Sequence, residues 1–293
     1  MSRVAYVNGR YVPHAEAAVH IEDRGYQLSD GVYEVCEVRG GRLVDERRHF
    51  DRLGRSLREI RIRWPMARTA LGVVLREVVR RNRMAEGIVY LQVTRGVAPR
   101  EHAFPSADVA PGVTVTAKAM PIGGRDKRAG EGVAVITVPD NRWDRVDIKT
   151  ISLLPNVLAK QQAREAGAFE AWFVDRDGMV TEGASTNAWI VTKDNTVVTR
   201  PAEHGILRGI TRSVLVEVLA AEKLHLEERP FSVAEALKAR EAILTSATTA
   251  VTPIVKVDGQ KIGNGRPGPV AARLRQAITK SMEIAPYRSV PEL

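Results

Sequence analysis

The residue type best suited to chemistry in an otherwise ordinary setting is a lysine, Lys149, in Asp147-Ile148-Lys149-Thr150. It ends a short alternating run, and a helix-like segment reaching Lys160 begins behind it. A shielded amine sheds its proton more readily, and its lone pair can then form a Schiff base with an aldehyde. The chain contains ten lysines. Lys127 and Lys193 lie in polar connections, and Lys256 and Lys261 bracket the turn Asp258-Gly259-Gln260. Lys223, Lys238 and Lys280 belong to helices with solvated faces, Lys118 to the polar face of a strand, and Lys160 to a helix beside Gln161 and Gln162. A lysine taken blind is a surface charge, so Lys149 needs support from its surroundings.

Three further stretches supply it. Glu182 follows Met179-Val180-Thr181 and precedes Gly183-Ala184-Ser185-Thr186-Asn187. A carboxylate there either enters a turn or faces inward, where it can hold a protonated ring nitrogen and keep a pyridine electron-poor. Gly205-Ile206-Leu207-Arg208-Gly209-Ile210-Thr211-Arg212 joins a glycine-bearing turn to an amphipathic helix. Free N–H groups at such a start, with the Thr211 hydroxyl, suit a phosphate as well as ordinary capping. Ser246-Ala247-Thr248-Thr249 offers more hydroxyl and amide donors. An amine, an acid for a ring nitrogen and a phosphate cradle are the needs of pyridoxal 5'-phosphate.

These residues need elements to position them. Val4–Val7 leads into Asn8-Gly9, a hairpin signal. A strand containing Tyr33 follows Ser29-Asp30-Gly31, and the period changes to helical at Leu53, Leu57 and Ile60. A second helix covers 67–79. Strands at 88–95 and 113–117 flank a long loop, 96–105, of the kind that often carries function. Pro121 to Gly130 has linker composition. We therefore expect a small N-terminal domain over 1–120, a linker over 121–132 and a larger domain over 133–293. The larger domain should hold hairpins at Ala171–Thr181 and Ala188–Thr199, then helices over 211–221, 233–240 and 270–282. The expected class is α+β, without regular strand–helix alternation.

Composition narrows the function. The 293 residues are 44% hydrophobic and 27% charged, ordinary for a globular protein. The single cysteine, Cys36, excludes an intrachain disulfide and reads as a small buried hydrophobe in a strand. The start lacks the pattern of a signal peptide, no apolar run approaches membrane-spanning length, and the expected location is cytoplasmic. The formal charge of +9 invites a nucleic-acid reading, but the basic residues are dispersed and aromatics total 5%. Attraction of anionic substrates is the better use of that charge. No metal-binding pattern stands out.

Taken in order, the motifs resemble those of the fold-type IV pyridoxal-phosphate enzymes, and within them the D-amino-acid aminotransferases. The resemblance covers almost the whole chain. It runs through Asp30-Gly31-Val32-Tyr33-Glu34, His49-Phe50-Asp51-Arg52-Leu53, Gln92-Val93-Thr94-Arg95-Gly96 with Pro99-Arg100-Glu101-His102, Asp147-Ile148-Lys149, Val180-Thr181-Glu182-Gly183, 205–212 and Thr248-Thr249.

The resemblance implies the two-domain fold of that family and a ping-pong transamination from a D-amino acid to a 2-oxo acid such as pyruvate or 2-oxoglutarate. Lys149 would carry the cofactor aldimine and shuttle the proton, and Glu182 would keep the pyridine nitrogen protonated. Arg52, the backbone of Ile210 and Thr211, and Thr248 would bind the phosphate, with Leu207 against one ring face. Tyr33 would lie near the substrate carboxylate, and Arg100 and His102 would reach in from the partner subunit of a homodimer. Arg-x-His on a loop can clamp a carboxylate, although the same pair is common on solvated loops. Ala247 stands where the family often has serine, a change worth about 1 kcal/mol of phosphate binding. The alternatives are a branched-chain aminotransferase, a 4-amino-4-deoxychorismate lyase or, from another class, a basic nucleic-acid-binding protein.

Overall fold

The computed structural model describes residues 3–120, 123–203 and 205–284. The chain divides into two compact units. The first takes in the described residues of Met1–Pro121, Ile148–Ser152 and Glu283–Leu293; the second takes in those of Ile122–Asp147 and Leu153–Met282.

In the first unit, β1 (Val4–Val7) and β2 (Arg10–Pro13) form the expected hairpin. Asn8 and Gly9, at φ 44° and 95°, supply the two left-handed positions that such a turn demands. A short helix α1 (Arg24–Leu28) is capped by Asp23, whose side chain accepts from the Gly25 N–H. There follow β3 (Gly31–Arg39), β4 (Arg42–Leu43), α2 (Glu46–Glu59), α3 (Arg68–Arg81), β5 (Glu86–Thr94) and β6 (Gly112–Ala119). The sheet runs β2-β1-β6-β5-β3-β4, with antiparallel neighbours throughout. Alternation in β5 turns Val89, Leu91 and Val93 inward, where they meet Val32, Cys36 and Val38 of β3. Leu53 and Leu57 of α2 and Leu71, Leu75 and Val78 of α3 complete this core. Cys36 is 1% exposed and acts as the small hydrophobe its setting suggested.

Ile148 belongs to the same core and is 4% exposed. Burying a side chain of that size stabilises by about 1.5–3 kcal/mol, enough to pin the segment that carries Lys149. The segment is not the strand that its pattern suggested. It is a turn whose Thr150 pairs with Val32 as an isolated bridge, while the Tyr33 N–H donates to the Lys149 carbonyl at 3.0 Å. The backbone beside β3 thus replaces a strand of its own.

The second unit begins with a difference. Residues 121–122 of the expected linker lie outside the described residues, but Gly123–Glu131 forms helix α4. Glycines disguise it in the sequence; Arg128 over the Phe169 ring and the Asp126–Arg275 ion pair at 2.9 Å hold it. The unit continues with β7 (Val133–Pro139), α5 (Leu154–Glu165), β8 (Glu170–Val174), β9 (Val180–Gly183), β10 (Asn187–Val191), β11 (Val197–Thr199) and α6 (Ile210–Ala221). β12 (Leu226–Glu228), α7 (Val233–Lys238), β13 (Glu241–Ser246), β14 (Ala250–Val257), β15 (Gln260–Lys261) and α8 (Pro269–Ser281) complete it.

The strands form one sheet ordered β12-β11-β10-β13-β14-β7-β8-β9, with β15 paired to β14. Three pairs are parallel: β11 with β12, β14 with β7, and β7 with β8. α5 makes the crossover between β7 and β8. The hairpins around 175–178 and 193–195 form as expected, and Ser232 caps α7 through its bond to the Glu235 N–H. β8 to β11 carry almost no exposed residue, and Trp172, Phe173 and Trp189 are at most 1% exposed. Such strands read as continuous apolar runs because both faces are covered. The mixture of parallel and antiparallel pairs with separate helices is the α+β arrangement. Among the described residues no helix is long and apolar enough to cross a membrane.

Candidate active site

The first unit holds Lys149, Tyr33, Arg52, Arg100 and His102. The Lys149 ammonium is half-buried and lies over the Tyr33 ring, 4.1 Å from its centroid. Tyr33 stacks in turn on Tyr90, at 5.6 Å and 28° between planes. Burial, then the neighbouring Tyr33, pushes the Tyr90 hydroxyl up to about 12, so it stays a neutral donor and bonds Gln92 at 2.7 Å. The Lys149 N–H donates to Ser56 Oγ at 3.4 Å. Among the described residues the ammonium makes no ion pair. By contrast Lys160, its neighbour in the sequence, is tied to the buried Glu170 at 3.0 Å and to the Phe169 carbonyl at 2.8 Å. Of these two lysines, Lys149 has the amine available for chemistry.

Arg52 projects from α2 toward β3. Its Nε and Nη2 donate to the two oxygens of Glu34 at 2.8 and 2.7 Å, and His49 Nδ1 lies 2.7 Å from the same carboxylate. Glu34 and His49 are 1% and 2% exposed. Burial pushes the Glu34 carboxyl up, but the Arg52 charge and the bonds from Arg52 and His49 outweigh it and hold the group at about 2. The two-pronged pair fixes the plane and direction of the Arg52 guanidinium. Arg100 and His102 stand exposed on the loop after β5, and the structure records no contact between either and Tyr33 or Lys149.

The second unit holds Glu182, Leu207, Ile210, Thr211 and Thr248. Glu182, in β9, is 5% exposed. Arg142 Nη1 donates to its Oε1 at 2.6 Å; Asn187 Nδ2 donates to its Oε2 at 3.0 Å; the Leu207 N–H spans both oxygens at 3.2 Å. Arg142 is also gripped by Asp140 through Nε and Nη2, at 2.9 and 2.8 Å, and lies 4.3 Å over the Phe173 ring. Asn187 also donates to the Leu207 carbonyl at 2.9 Å. The 205–209 turn is thereby tied to the glutamate. Gly209 permits this approach, since a Cβ there would meet Asn187 Oδ1 at 2.2 Å.

α6 starts immediately after Gly209, and among the described residues no side chain caps its first N–H groups, those of Ile210 and Thr211. Both residues are buried up to that helix start. Thr248 lies in the turn between β13 and β14, its hydroxyl 3.1 Å from Ser246 Oγ, which also contacts Thr249 at 2.9 Å.

Each unit by itself carries groups of the kind that a phosphorylated pyridine aldehyde requires. Uncapped N–H groups at the start of a twelve-residue helix attract a phosphate. By themselves Asp140, Arg142 and Glu182 sum to one negative charge, the complement of a protonated ring nitrogen. The Lys149 amine lies over an aromatic ring and has no carboxylate partner among the described residues; once it has given up its proton, such an amine can condense with an aldehyde. Pattern reading nominates Lys149, Glu182 and the 205–212 turn but gives no hint of the contacts among Asp140, Arg142, Asn187 and Glu182, or of Glu34 and His49 beside Arg52. Asp140-x-Arg142 looks like any surface pair, and its meeting with Glu182, forty residues on, has no local signal.

Comparison with known proteins agrees with the geometry. D-alanine aminotransferase of Bacillus licheniformis is 44% identical over 275 residues, covering 94% of this chain and 95% of that one. D-alanine aminotransferase of Staphylococcus haemolyticus is 39% identical over 278 residues, covering 95% and 97%. Among solved structures, the PLP-bound form of a hypothetical aminotransferase from Mycobacterium tuberculosis superposes with a TM-score of 0.80 at 25% identity, over 95% of this chain and 98% of that one. A family model described as amino-transferase class IV matches residues 31–257. With its fold, its available lysine and these similarities, the chain belongs to the class IV aminotransferases.

Proposed function

We propose that this chain is a D-amino-acid transaminase that uses pyridoxal 5'-phosphate to move an amino group from a D-amino acid such as D-alanine to a 2-oxo acid. The observation that carries this reading is the 44% identity with a D-alanine aminotransferase across nearly the full length of both chains. The pair Arg100 and His102 supports it, because an α-carboxylate needs a cationic, two-pronged partner.

The residues that would hold the cofactor are Lys149, Glu182, Arg52, Leu207, the backbone of Ile210 and Thr211, and Thr248. When bound, the cofactor supplies an aldehyde that takes the amine and an aromatic ring that accepts the electrons of a broken C–H bond. Lys149 Nζ would take the proton from the substrate α-carbon and give it up on the cofactor side, so the amine must be neutral when it accepts. Tyr33, beneath it, offers a π face without a competing negative charge. Glu182, its two oxygens fixed by Arg142, Asn187 and the Leu207 N–H, would serve the ring nitrogen. Arg52 and the α6 N–H groups hold phosphate, while Arg100 and His102 hold the substrate carboxylate. In this reading the enzyme is a cytoplasmic homodimer, and Arg100 and His102 of one copy serve the other.

The test is a half-reaction. The yellow protein, mixed with D-alanine and separately with L-leucine, should lose its visible band with D-alanine at least tenfold faster. Faster reaction with L-leucine would favour a branched-chain enzyme, and pyruvate release from aminodeoxychorismate would favour the lyase. Borohydride should also remove the visible band, and Lys149→Ala should lower turnover by about 10²–10⁴-fold even with added cofactor.

A further inference from the structure

The loop that carries Arg100 and His102 has no regular structure between β5 and β6, and Pro99 to Phe104 are exposed. It is nonetheless tethered to a buried charge. Arg24, in α1, is 2% exposed. Its Nε donates to Asp30 Oδ2 at 2.8 Å, its Nη1 donates to the Glu101 carbonyl at 2.5 Å, and its backbone N–H donates to the Gly96 carbonyl at 2.9 Å. Asp30 is shared with Arg95, whose Nε and Nη2 donate to it at 2.7 and 2.9 Å. The Arg95 guanidinium also donates to the carbonyls of Ile60 and Arg61 and lies 3.7 Å from the centroid of the Phe104 ring. Arg63 donates to the carbonyls of Ala107, Asp108 and Val109 on the returning limb.

The location of the Arg24 bond is informative. Glu101 stands between Arg100 and His102, and its carbonyl belongs to the peptide that leads directly into His102, with Arg100 one residue upstream. The His102 N–H, on the opposite edge of the same peptide, donates to Glu101 Oε1 at 2.7 Å. A buried guanidinium must be paired, and Arg24 shares the carboxylate of Asp30 with Arg95. The donor directed at Glu101 instead restrains an exposed peptide, and a charge-assisted bond to a carbonyl is among the stronger restraints available. Burial pushes the Asp30 carboxyl up, but the bonds from Arg95 and Arg24 prevail and hold it below its ordinary value, so the anchor stays ionised.

We propose that Arg24 is a positioning residue for substrate recognition, holding the Glu101 peptide so that Arg100 and His102 are presented in one orientation. The proposal rests on the reading of those two residues as the carboxylate clamp. It makes specificity depend on a side chain that touches neither substrate nor cofactor. Arg24→Lys keeps a cation beside Asp30 but loses the fork that reaches two acceptors at once; Arg24→Met removes both bonds and leaves Asp30 to Arg95.

The experiment uses the holoenzyme and its two variants. Without substrate, amide hydrogen exchange over residues 96–106 should quicken about tenfold in Arg24→Lys, the size of one lost charge-assisted bond, while α6 and β9 are unaltered. With D-alanine, KM should rise about tenfold, kcat should stay within twofold, and the cofactor dissociation constant should not move. Arg24→Met should exceed Arg24→Lys in both; should it fail to fold, the lysine variant alone decides. Unchanged loop exchange overturns the proposal, as does a KM rise matched by an equal loss of cofactor affinity and a fall in melting temperature. If wild-type protein were inert on D-alanine, the proposed function would fall, whereas the exchange measurement, which needs no substrate, would still decide whether Arg24 holds the loop.

Discussion

Each unit contains a buried carboxylate gripped by an arginine, and the two clusters differ in how their charges add. In the first, Glu34 is matched by Arg52 in a two-pronged pair with His49 beside it. One carboxylate meets one guanidinium. In the second, Arg142 is divided between Asp140 and Glu182, and these three side chains leave one negative charge. A buried excess charge is costly unless something neutralises it. On the proposed reading the first cluster would brace Arg52, and the second would receive a cation. Similar residue types would then serve opposite purposes, because stoichiometry, not composition, fixes the sign.

The contrast is tested most severely at Glu182. Glu182→Gln should lower transamination by roughly a thousandfold while leaving the melting temperature near that of wild type, since Asp140 still pairs with Arg142. A large loss of stability with little loss of rate would make the second cluster another brace. Glu34→Gln should do the reverse, costing about 3 kcal/mol in urea unfolding because Arg52 is left buried without its charge partner.

Acid titration separates the two clusters further. The Glu34 carboxyl falls from an ordinary 4.5 to about 2 on folding. A lowered folded value means that its stabilisation is fully present above pH 4.5 and disappears as pH falls toward 2. Unfolding free energy of wild type should fall faster than that of Glu34→Gln across this interval; parallel curves would contradict the assigned ionisation. The smallest effect is expected at Thr248→Ala. Losing one hydroxyl should weaken phosphate binding by about 1 kcal/mol, seen as an approximately fivefold rise in the cofactor dissociation constant.

How much is legible beforehand follows from the range of each interaction. The Asn8-Gly9 hairpin, the Ser232 cap and the start of α6 depend on residues within a few positions of one another, and their patterns predict them. α4 looks like a linker in the sequence because Gly123, Gly124 and Gly130 signal flexibility, whereas its contacts with Phe169 and Arg275 lie far along the chain. Alternation makes the Lys149 segment resemble a strand, yet its hydrogen bonds go to residues 31–33 and it forms no ladder of its own. Glu34 and His49 stand inside recognised motifs, but nothing local indicates that both turn toward Arg52.

Lysine scarcity, turn chemistry and helix capping are local properties, so the order of residues was enough to nominate one amine, one acid and one helix start. A lone cysteine likewise rules out an intrachain disulfide without any coordinates. Folding was needed to make Glu182 share Arg142 with Asp140, to brace Arg52 and to bring Arg24 to the Glu101 peptide. Those pairings join residues tens of positions apart, or brace one by its surroundings, and their energies depend on burial and geometry that exist only once the chain has folded.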